Sequence, residues 1–385
     1  MTREPLKLLI TFFFVLHFTL YTLHEVYARG PGTTGMNFLK IGVGARPAAM
    51  GGAFSGLAND VNAVYWNPAG LARIGQGELS FAHTEWIEGM RFETLGVGQR
   101  INGFGVMGLT INYFSMGETQ GYDEDDKKTD MFTAYDRFLS LTWAAPLTAS
   151  EKILIGGTVK LIQEKIEEEK AEAYAGDAGM LYEPGQRFSI GISVLNFGSK
   201  VQFISESDPL PLTIKAGGAY RLSKGLTIAV DASKPIDNEI SVHTGIEWVY
   251  KNLLAVRTGF KTDTIENLDA LSGLSGGLGF HWKGWGIDYA WVPYGKFGST
   301  HRINLMGRFG ISREERETRI RKQTRARKNY GKVFLWYREK AEKMNLHDSE
   351  KLLLLKRIIK KYKSMGINVK EAEEEKRRIQ EMMKR

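Results

Sequence analysis

From Glu78 to Phe309 the chain repeats one pattern: about ten residues with apolar side chains at every second place, followed by a turn. Trp285, Ile287, Tyr289 and Trp291 fall on one face of such a segment, and Gly286, Asp288 and Ala290 on the other. The last segment does the same, with Ile303, Leu305 and Phe309 opposing Arg302, Asn304 and Arg308. A period of two places these sets on opposite faces of a β-strand. Several of the non-apolar faces are very small, as where Ser275, Gly277 and Gly279 oppose Leu274, Leu278 and Phe280. An apolar outer face with a small or polar inner face is the signature of a barrel whose wall meets lipid and whose interior has room for something.

The connections support that reading independently. Fourteen strands are expected to begin near Glu78, Arg91, Gly103, Phe132, Lys152, Glu172, Arg187, Pro211, Gly225, Glu239, Leu253, Leu271, Gly284 and Thr300. Every second connection is tight, as at Ile101-Asn102-Gly103, Pro146 to Glu151, Glu183 to Gln186, Ser223 to Gly225, Tyr250 to Asn252 and Lys283-Gly284. The others are longer and more charged, at Ser115 to Asp130, Glu164 to Lys170, Gly198 to Leu210 and Thr262 to Asp269, with the short Pro235 to Asn238 as an exception. Outer-membrane barrels alternate short periplasmic turns with longer extracellular loops. The pattern therefore predicts an all-β transmembrane barrel of about fourteen antiparallel strands, spanning residues 78–312, in the bacterial outer membrane.

The N-terminus agrees with export. Arg3 and Lys7 precede an apolar run from Leu8 to Leu23, and Val26-Tyr27-Ala28 puts small residues at the −3 and −1 positions of a cleavage site, so residues 1–28 read as a cleaved signal peptide. The run contains His17 and is short for a spanning helix, which needs about 20 residues. Cysteine is absent, which removes disulfides, thiolate metal sites and thiol nucleophiles. The net charge of +8 belongs to one end: residues 313–385 hold 24 Lys/Arg against 12 Asp/Glu, and the body is slightly acidic. An even strand number returns the chain to its starting side, so this basic tail is expected in the periplasm. Within it, Asp348 is expected to cap a helix that places Leu352, Leu355, Ile359 and Tyr362 on one face and stops at Gly366. Val333, Trp336, Tyr337 and Ala341 suggest a shorter helix before it, and Val369 to Met383 a third, mostly charged one. The apolar stripe of the middle helix asks for neighbouring tail helices or a periplasmic partner.

Residues 29–77 break the alternation, and Phe38 to Arg73 is rich in Gly and Ala, suited to close packing of irregular backbone inside a wall. Gly42-Val43-Gly44-Ala45-Arg46, Met50-Gly51-Gly52-Ala53 and Asn67-Pro68-Ala69-Gly70-Leu71 closely resemble the PorV/PorQ family, part of the FadL-like superfamily of outer-membrane transport barrels. The resemblance covers roughly residues 36–310 and implies that the N-terminal segment forms a plug, or hatch, in the lumen. It also implies Gly44, Arg46, Gly51, Gly52, Asn67, Pro68 and Ala69 as hatch and substrate-path residues. Gly and Pro usually carry backbone geometry, so shaping the plug is the simpler role for them. Two functions follow from the resemblance: a conduit for hydrophobic small molecules, which is favoured, or an accessory barrel of type IX protein secretion that binds or anchors exported cargo. For the first, inward Arg257, Arg302 and Arg308 are candidate luminal contacts for an acidic headgroup, against the alternative that they pair with interior acids such as Asp288 or Glu247. The basic helical tail is a departure from the family pattern.

Other chemistry is weak. Gly103-Phe104-Gly105-Val106-Met107-Gly108 spells a dinucleotide fingerprint but lacks the preceding strand and following helix. His243, His281 and His301 have no nucleophile and acid at catalytic spacing, so no enzyme is expected. Asp123 to Asp126 lacks the Gly and terminal Glu of a calcium loop, so neither metal nor cofactor is expected. The tail's cations interleave with Glu at helical spacing, which argues for solvated helix faces and against nucleic acid. The expected partners are outer-membrane lipid, a hydrophobic ligand or protein cargo, and a periplasmic protein at the tail.

Overall fold

The computed structural model describes residues 30–148, 150–203, 206–263, 270–311, 313–344 and 346–384. Residues 1–28, expected to be a signal peptide, lie outside the described residues. The body of the chain is a closed antiparallel barrel. Its first seven strands are β1 (Gly77–Glu85), β2 (Arg91–Ile101), β3 (Gly105–Tyr122), β4 (Lys128–Pro146), β5 (Ile153–Ile166), β6 (Glu169–Tyr182) and β7 (Phe188–Gly198). A two-stranded sheet, β8 (Val201–Gln202) with β9 (Ser207–Asp208), interrupts the loop that follows. The wall resumes with β10 (Thr213–Ser223), β11 (Leu226–Pro235), β12 (Ser241–Tyr250), β13 (Leu254–Lys261), β14 (Leu274–Trp282), β15 (Trp285–Pro293) and β16 (Ser299–Phe309). Closure is made by β1 against β16, from Gly77 opposite Phe309 to Glu85 opposite His301. The barrel thus has fourteen strands, as the alternation and turn parity predict.

Burial follows the period of two. On β2, Phe92, Thr94, Gly96 and Gly98 are buried while Arg91 and Leu95 are exposed. The outer surface carries Leu79, Phe81, Leu109, Ile111, Leu139, Leu141, Val159, Leu161, Leu278 and Ile287. At the tight-turn end it carries an aromatic belt that includes Phe104, Tyr182, Phe188, Tyr250, Trp282, Trp285 and Phe309. Toward the loop end Tyr113, Tyr174, Phe197 and Trp291 are exposed in the same way. An apolar band between two aromatic belts is what a barrel presents to a bilayer and its interfaces. Among the described residues no helix is long and apolar enough to cross a membrane.

Two of the connections expected as loops are extensions of strands. β3 and β4 continue to Tyr122 and from Lys128 as one long hairpin, whose tip is an Asx turn with Asp123 Oδ1 accepting from the Asp125 and Lys127 amides at 3.0 and 2.9 Å. β5 and β6 extend to Ile166 and from Glu169 around a two-residue turn. Beyond the lipid both faces of a strand meet water, so the alternation that marks a wall strand stops while the ladder goes on. The glycine-rich run 103–108 spans a tight turn and the start of β3, with no helix after it.

Inside the wall, the plug is built of short pieces: a 3-10 turn Asn37–Lys40, α1 (Ala45–Ala49), α2 (Ala63–Trp66) and a 3-10 turn Pro68–Arg73. Its side chains form apolar clusters with inward residues of the wall, such as Phe92, Phe114 and Phe138 around Phe38 and Leu39.

Residues 311–385 form a separate unit of three helices, α3 (Arg313–Lys343), α4 (Asp348–Lys363) and α5 (Lys370–Met382). The first is much longer than the apolar residues around Val333 suggest, because its charged N-terminal half also follows the helix. It buries Tyr330, Phe334 and Tyr337, spaced four and three apart, and leaves Trp336 exposed beneath Lys340. In α4 the N-cap is His347, with Glu350 accepting from its backbone amide at 3.2 Å, and Asp348 is the first helical residue rather than the cap. Leu355, Ile358 and Tyr362 are buried with Ile367, Val369, Ala372 and Ile379, while Leu352 and Ile359 pack at the edge. The apolar stripe is therefore covered by neighbouring tail helices.

Candidate functional site

The site is a chamber whose floor is the plug, and it depends on how that floor is fixed. Glycines on the inner wall allow the plug backbone to come closer than any side chain would. A Cβ at Gly156 would lie 2.5 Å from the carbonyl carbon of Pro68, and one at Gly191 would lie 2.1 Å from the Ser55 oxygen. At Gly259 it would meet the Gly51 nitrogen at 2.0 Å. These glycines are seats for the plug, and so is Gly277 on the small inward face that the sequence shows, where a Cβ would lie 2.5 Å from Ala49 Cβ.

Polar bonds then lock it. Asp231 accepts from the Phe54 and Ser55 amides at 2.9 and 2.7 Å. Arg73 donates through Nη1 to the carbonyls of Gly56, Leu57 and Ala58, each at 2.9 Å, and approaches Glu183 at 3.1 Å. Arg46 forks onto Glu247 at 2.7 and 2.8 Å and reaches Asn59 and Asp60 with its other nitrogen. A bidentate guanidinium–carboxylate pair fixes orientation as well as position. At the tight-turn end Leu71 and Ile74 pack with Val106, Ala144, Leu154 and Leu181, and Arg100 donates to the carbonyls of Ala72, Ile74 and Gly75. That end is sealed.

Asn67, Pro68 and Ala69 belong to this lock. Asn67 is fully buried, accepts from the Ala69 amide at 3.2 Å and donates to the carbonyls of Ser55 and Met180 at 2.9 and 3.2 Å. Pro68 opens the 3-10 turn and Ala69 is sealed among apolar wall residues. Gly44, at φ 87°, lies against the Asn62 side chain. These four and Arg46 hold the plug and do not line the chamber.

Gly51 and Gly52 do line it. Gly51 donates to Ser275 Oγ at 3.1 Å, and its carbonyl bonds His243 Nδ1 at 2.6 Å. Above them lies a cavity of about 1190 Å³, at the end of the barrel where β7, β11, β13 and β15 finish. Its walls carry Tyr65, Trp66, Trp86 and Tyr294 together with Lys215, Lys261 and Arg302. The Lys215 ammonium sits 4.6 Å from the Trp66 ring, and Lys261 lies 5.1 Å from the Tyr294 ring and 3.5 Å from Asp263. Arg302 stacks over Trp86 at 5.5 Å and donates to the Gly42 carbonyl. Lys40 is tied to Asp237 at 2.6 Å. The chamber thus combines aromatic surface with cations.

Of the three arginines expected to meet a headgroup, the geometry leaves Arg302. Arg257 is buried and committed to Glu247 and Asp288, each at 2.7 Å. Arg308 pairs with Glu78 at 3.0 Å near the tight-turn end. Both were placed correctly on the inner face, but each has a carboxylate on a neighbouring strand or the strand after it. Lys215 and Lys261 were not foreseen, although Lys261 follows Arg257 and Gly259 at the same period of two. His281 is held by Asp288 at 3.2 Å, and His301 bonds the Tyr289 hydroxyl on the outer face at 2.8 Å. Among the described residues no three His, Cys, Asp or Glu gather within metal-binding reach.

The closed barrel is similar in fold to a solved outer-membrane channel. A monoaromatic hydrocarbon channel, a TodX deletion mutant, superposes with a TM-score of 0.51 over 70% of this chain and 99% of its own, at 12% identity. The Pseudomonas putida toluene transporter TodX gives 0.49 over 73% and 98%, at 13% identity. At these identities the likeness is one of fold. In sequence, a family described as uncharacterised protein family UPF0164 matches residues 25–140, which comprise the plug and the first strands. A UPF0164 protein of Treponema pallidum (strain Nichols) is 47% identical over 64 residues, a stretch that spans 16% of this chain and 16% of that relative.

Proposed function

We propose that this chain is an outer-membrane conduit that admits hydrophobic small molecules at its loop end and holds them in the chamber above the plug. The observation that carries the reading is the chamber itself: an aromatic-walled space of about 1190 Å³ at one end of a lipid-facing barrel whose other end is sealed. The aromatic surfaces suit an apolar body, and Lys215 and Arg302 suit an acidic head on it. The fold shared with hydrocarbon-channel barrels supports the same reading. Passage onward requires the plug to shift or the wall to open, because the floor is locked by bonds around the barrel. Residues 1–28 direct export and are cleaved, and the basic tail lies in the periplasm, where it docks a partner protein. Protease added outside intact cells should leave that tail intact.

The test is uptake of a hydrophobic solute into vesicles reconstituted with the full mature chain or its Ser233→Trp variant, which projects an indole into the chamber. Uptake through the variant should fall at least tenfold while its gel mobility, folded and heated, stays unchanged. Equal rates would defeat the conduit reading. The seal at the tight-turn end favours one second reading, an accessory barrel of PorV/PorQ type that engages exported cargo at its loop end without passing anything through. It predicts no uptake by either protein, and loss of cargo from the cell surface when the gene is deleted.

A further inference from the structure

A second cavity, of about 790 Å³, lies at the same end of the barrel and shares Ile41 and Trp86 with the first. Its chemistry is reversed. Phe38, Phe114, Met90 and Met116 form apolar wall, and the charged residues lining it are four carboxylates, Asp136, Glu164, Glu206 and Asp208, with no Lys, Arg or His among its described lining residues. Asp136 on β4 and Glu164 on β5 are direct partners in register, so their side chains stand side by side on the inner face.

Like charges directly opposite one another are destabilising, and buried carboxylates are ordinarily paired. The rest of this interior obeys that rule. Glu78 has Arg308, Asp177 has Lys160, Glu247 has Arg46 and Arg257, Asp288 has Arg257, and Asp231 has two backbone amides. Asp136 is only 9% exposed, yet among the described residues neither its carboxylate nor that of Glu164 has a hydrogen bond or a cation. Beside Asp136 in register on β3 stands Phe114, whose ring packs edge-on to Phe92 at 6.1 Å.

We infer that this second chamber binds an organic cation: a primary or quaternary ammonium carried on an apolar body. Two carboxylates supply the counter-charge, and the aromatic wall offers ring faces to the ammonium and dispersion contact to its substituents. A neutral hydrocarbon would have no use for the carboxylates. A calcium ion needs six to eight oxygens, and among the described residues no three carboxylates gather closely enough to share one. The inference is independent of whether the barrel conducts, since it concerns occupancy of a cavity that the basic chamber does not include.

The full mature chain in a non-ionic detergent is titrated calorimetrically with benzyltrimethylammonium and, separately, with neopentylbenzene, its uncharged isostere. The cation should bind at least tenfold more tightly. The double variant Asp136→Asn, Glu164→Gln keeps side-chain shape and removes the repulsion, so it should fold at least as well and lose that preference. Phe114→Leu should weaken the cation several-fold and the isostere much less. Lys215→Met, in the other chamber, should leave cation binding unchanged. Equal affinity for the two probes overturns the inference, as does a cation affinity that survives the double variant. Micromolar calcium binding that disappears in the double variant overturns it in favour of a metal site.

Discussion

The two ends of the barrel are built from one plug and have opposite characters. At the tight-turn end Leu71 and Ile74 meet Val106, Ala144, Leu154 and Leu181, and Arg73 and Arg100 satisfy the carbonyls that the irregular backbone leaves over. At the loop end the same plug offers Gly51, Gly52, Tyr65 and Trp66 to open space, and the wall answers with Lys215, Lys261 and Arg302. The difference lies in what the inner wall supplies. Where it presents Gly, Ala and Leu the plug seats and water leaves. Around Lys215, Lys261 and Arg302 no plug residue fills the space. Close packing and open space are thus divided along the barrel axis.

The division breaks most severely if a seat is filled. Gly156→Val sets a branched side chain against the Pro68 backbone, which cannot yield as a flexible side chain would, so the plug should fail to dock. The expected result is loss of the heat-modifiable folded form, or a barrel whose plug is cut by protease. A variant with wild-type melting and a protected plug would show that the seal is not made there. A smaller effect is expected at Asn67. Its replacement by Ala leaves the buried Ser55 and Met180 carbonyls without their donor, which costs about 1–3 kcal/mol of stability. Solute uptake by the folded protein should be unchanged, since Asn67 does not line the chamber. Reduced uptake at unchanged stability would return it to the substrate path. The smallest effect is expected from deleting Glu314 to Arg385. Closure by β16 is complete at Phe309, and the tail buries its own apolar stripe in a separate unit. The truncated barrel should insert and melt like the full chain, and a shift beyond a few degrees would count against the tail's independence.

The wall was largely legible because lipid outside and a packed plug inside impose the same period on every strand. Most strand starts fall within two or three residues of where alternation places them. The largest departure is β4, which begins at Lys128 and not near Phe132. There Lys128, Thr129 and Asp130 are exposed on both faces, so periodicity carries no signal. The segment ahead of β1 was recognisable as a plug from its glycines and from Asn67-Pro68-Ala69, but the roles within it were not. Whether Arg46 faces a ligand or a wall carboxylate, and Asn67 a ligand or a wall carbonyl, depends on strands about a hundred or more residues away, such as Glu247 on β12 and Met180 on β6. Likewise Arg257 and Arg302 look alike on their strands, and only the register of β12 and β15 beside them shows which one has a carboxylate within reach.

The ring of glycine seats also constrains assembly. The plug lies before β1 in the chain, yet α1 packs on Gly277 of β14 and Ala290 and Val292 of β15, while Pro68 rests on Gly156 of β5. Its berth therefore does not exist until nearly the whole chain has been made. Once β16 has joined β1, the closed hydrogen-bonded wall surrounds a plug bonded to strands on opposite sides. A segment made early in the chain thus depends for its seats on strands made last.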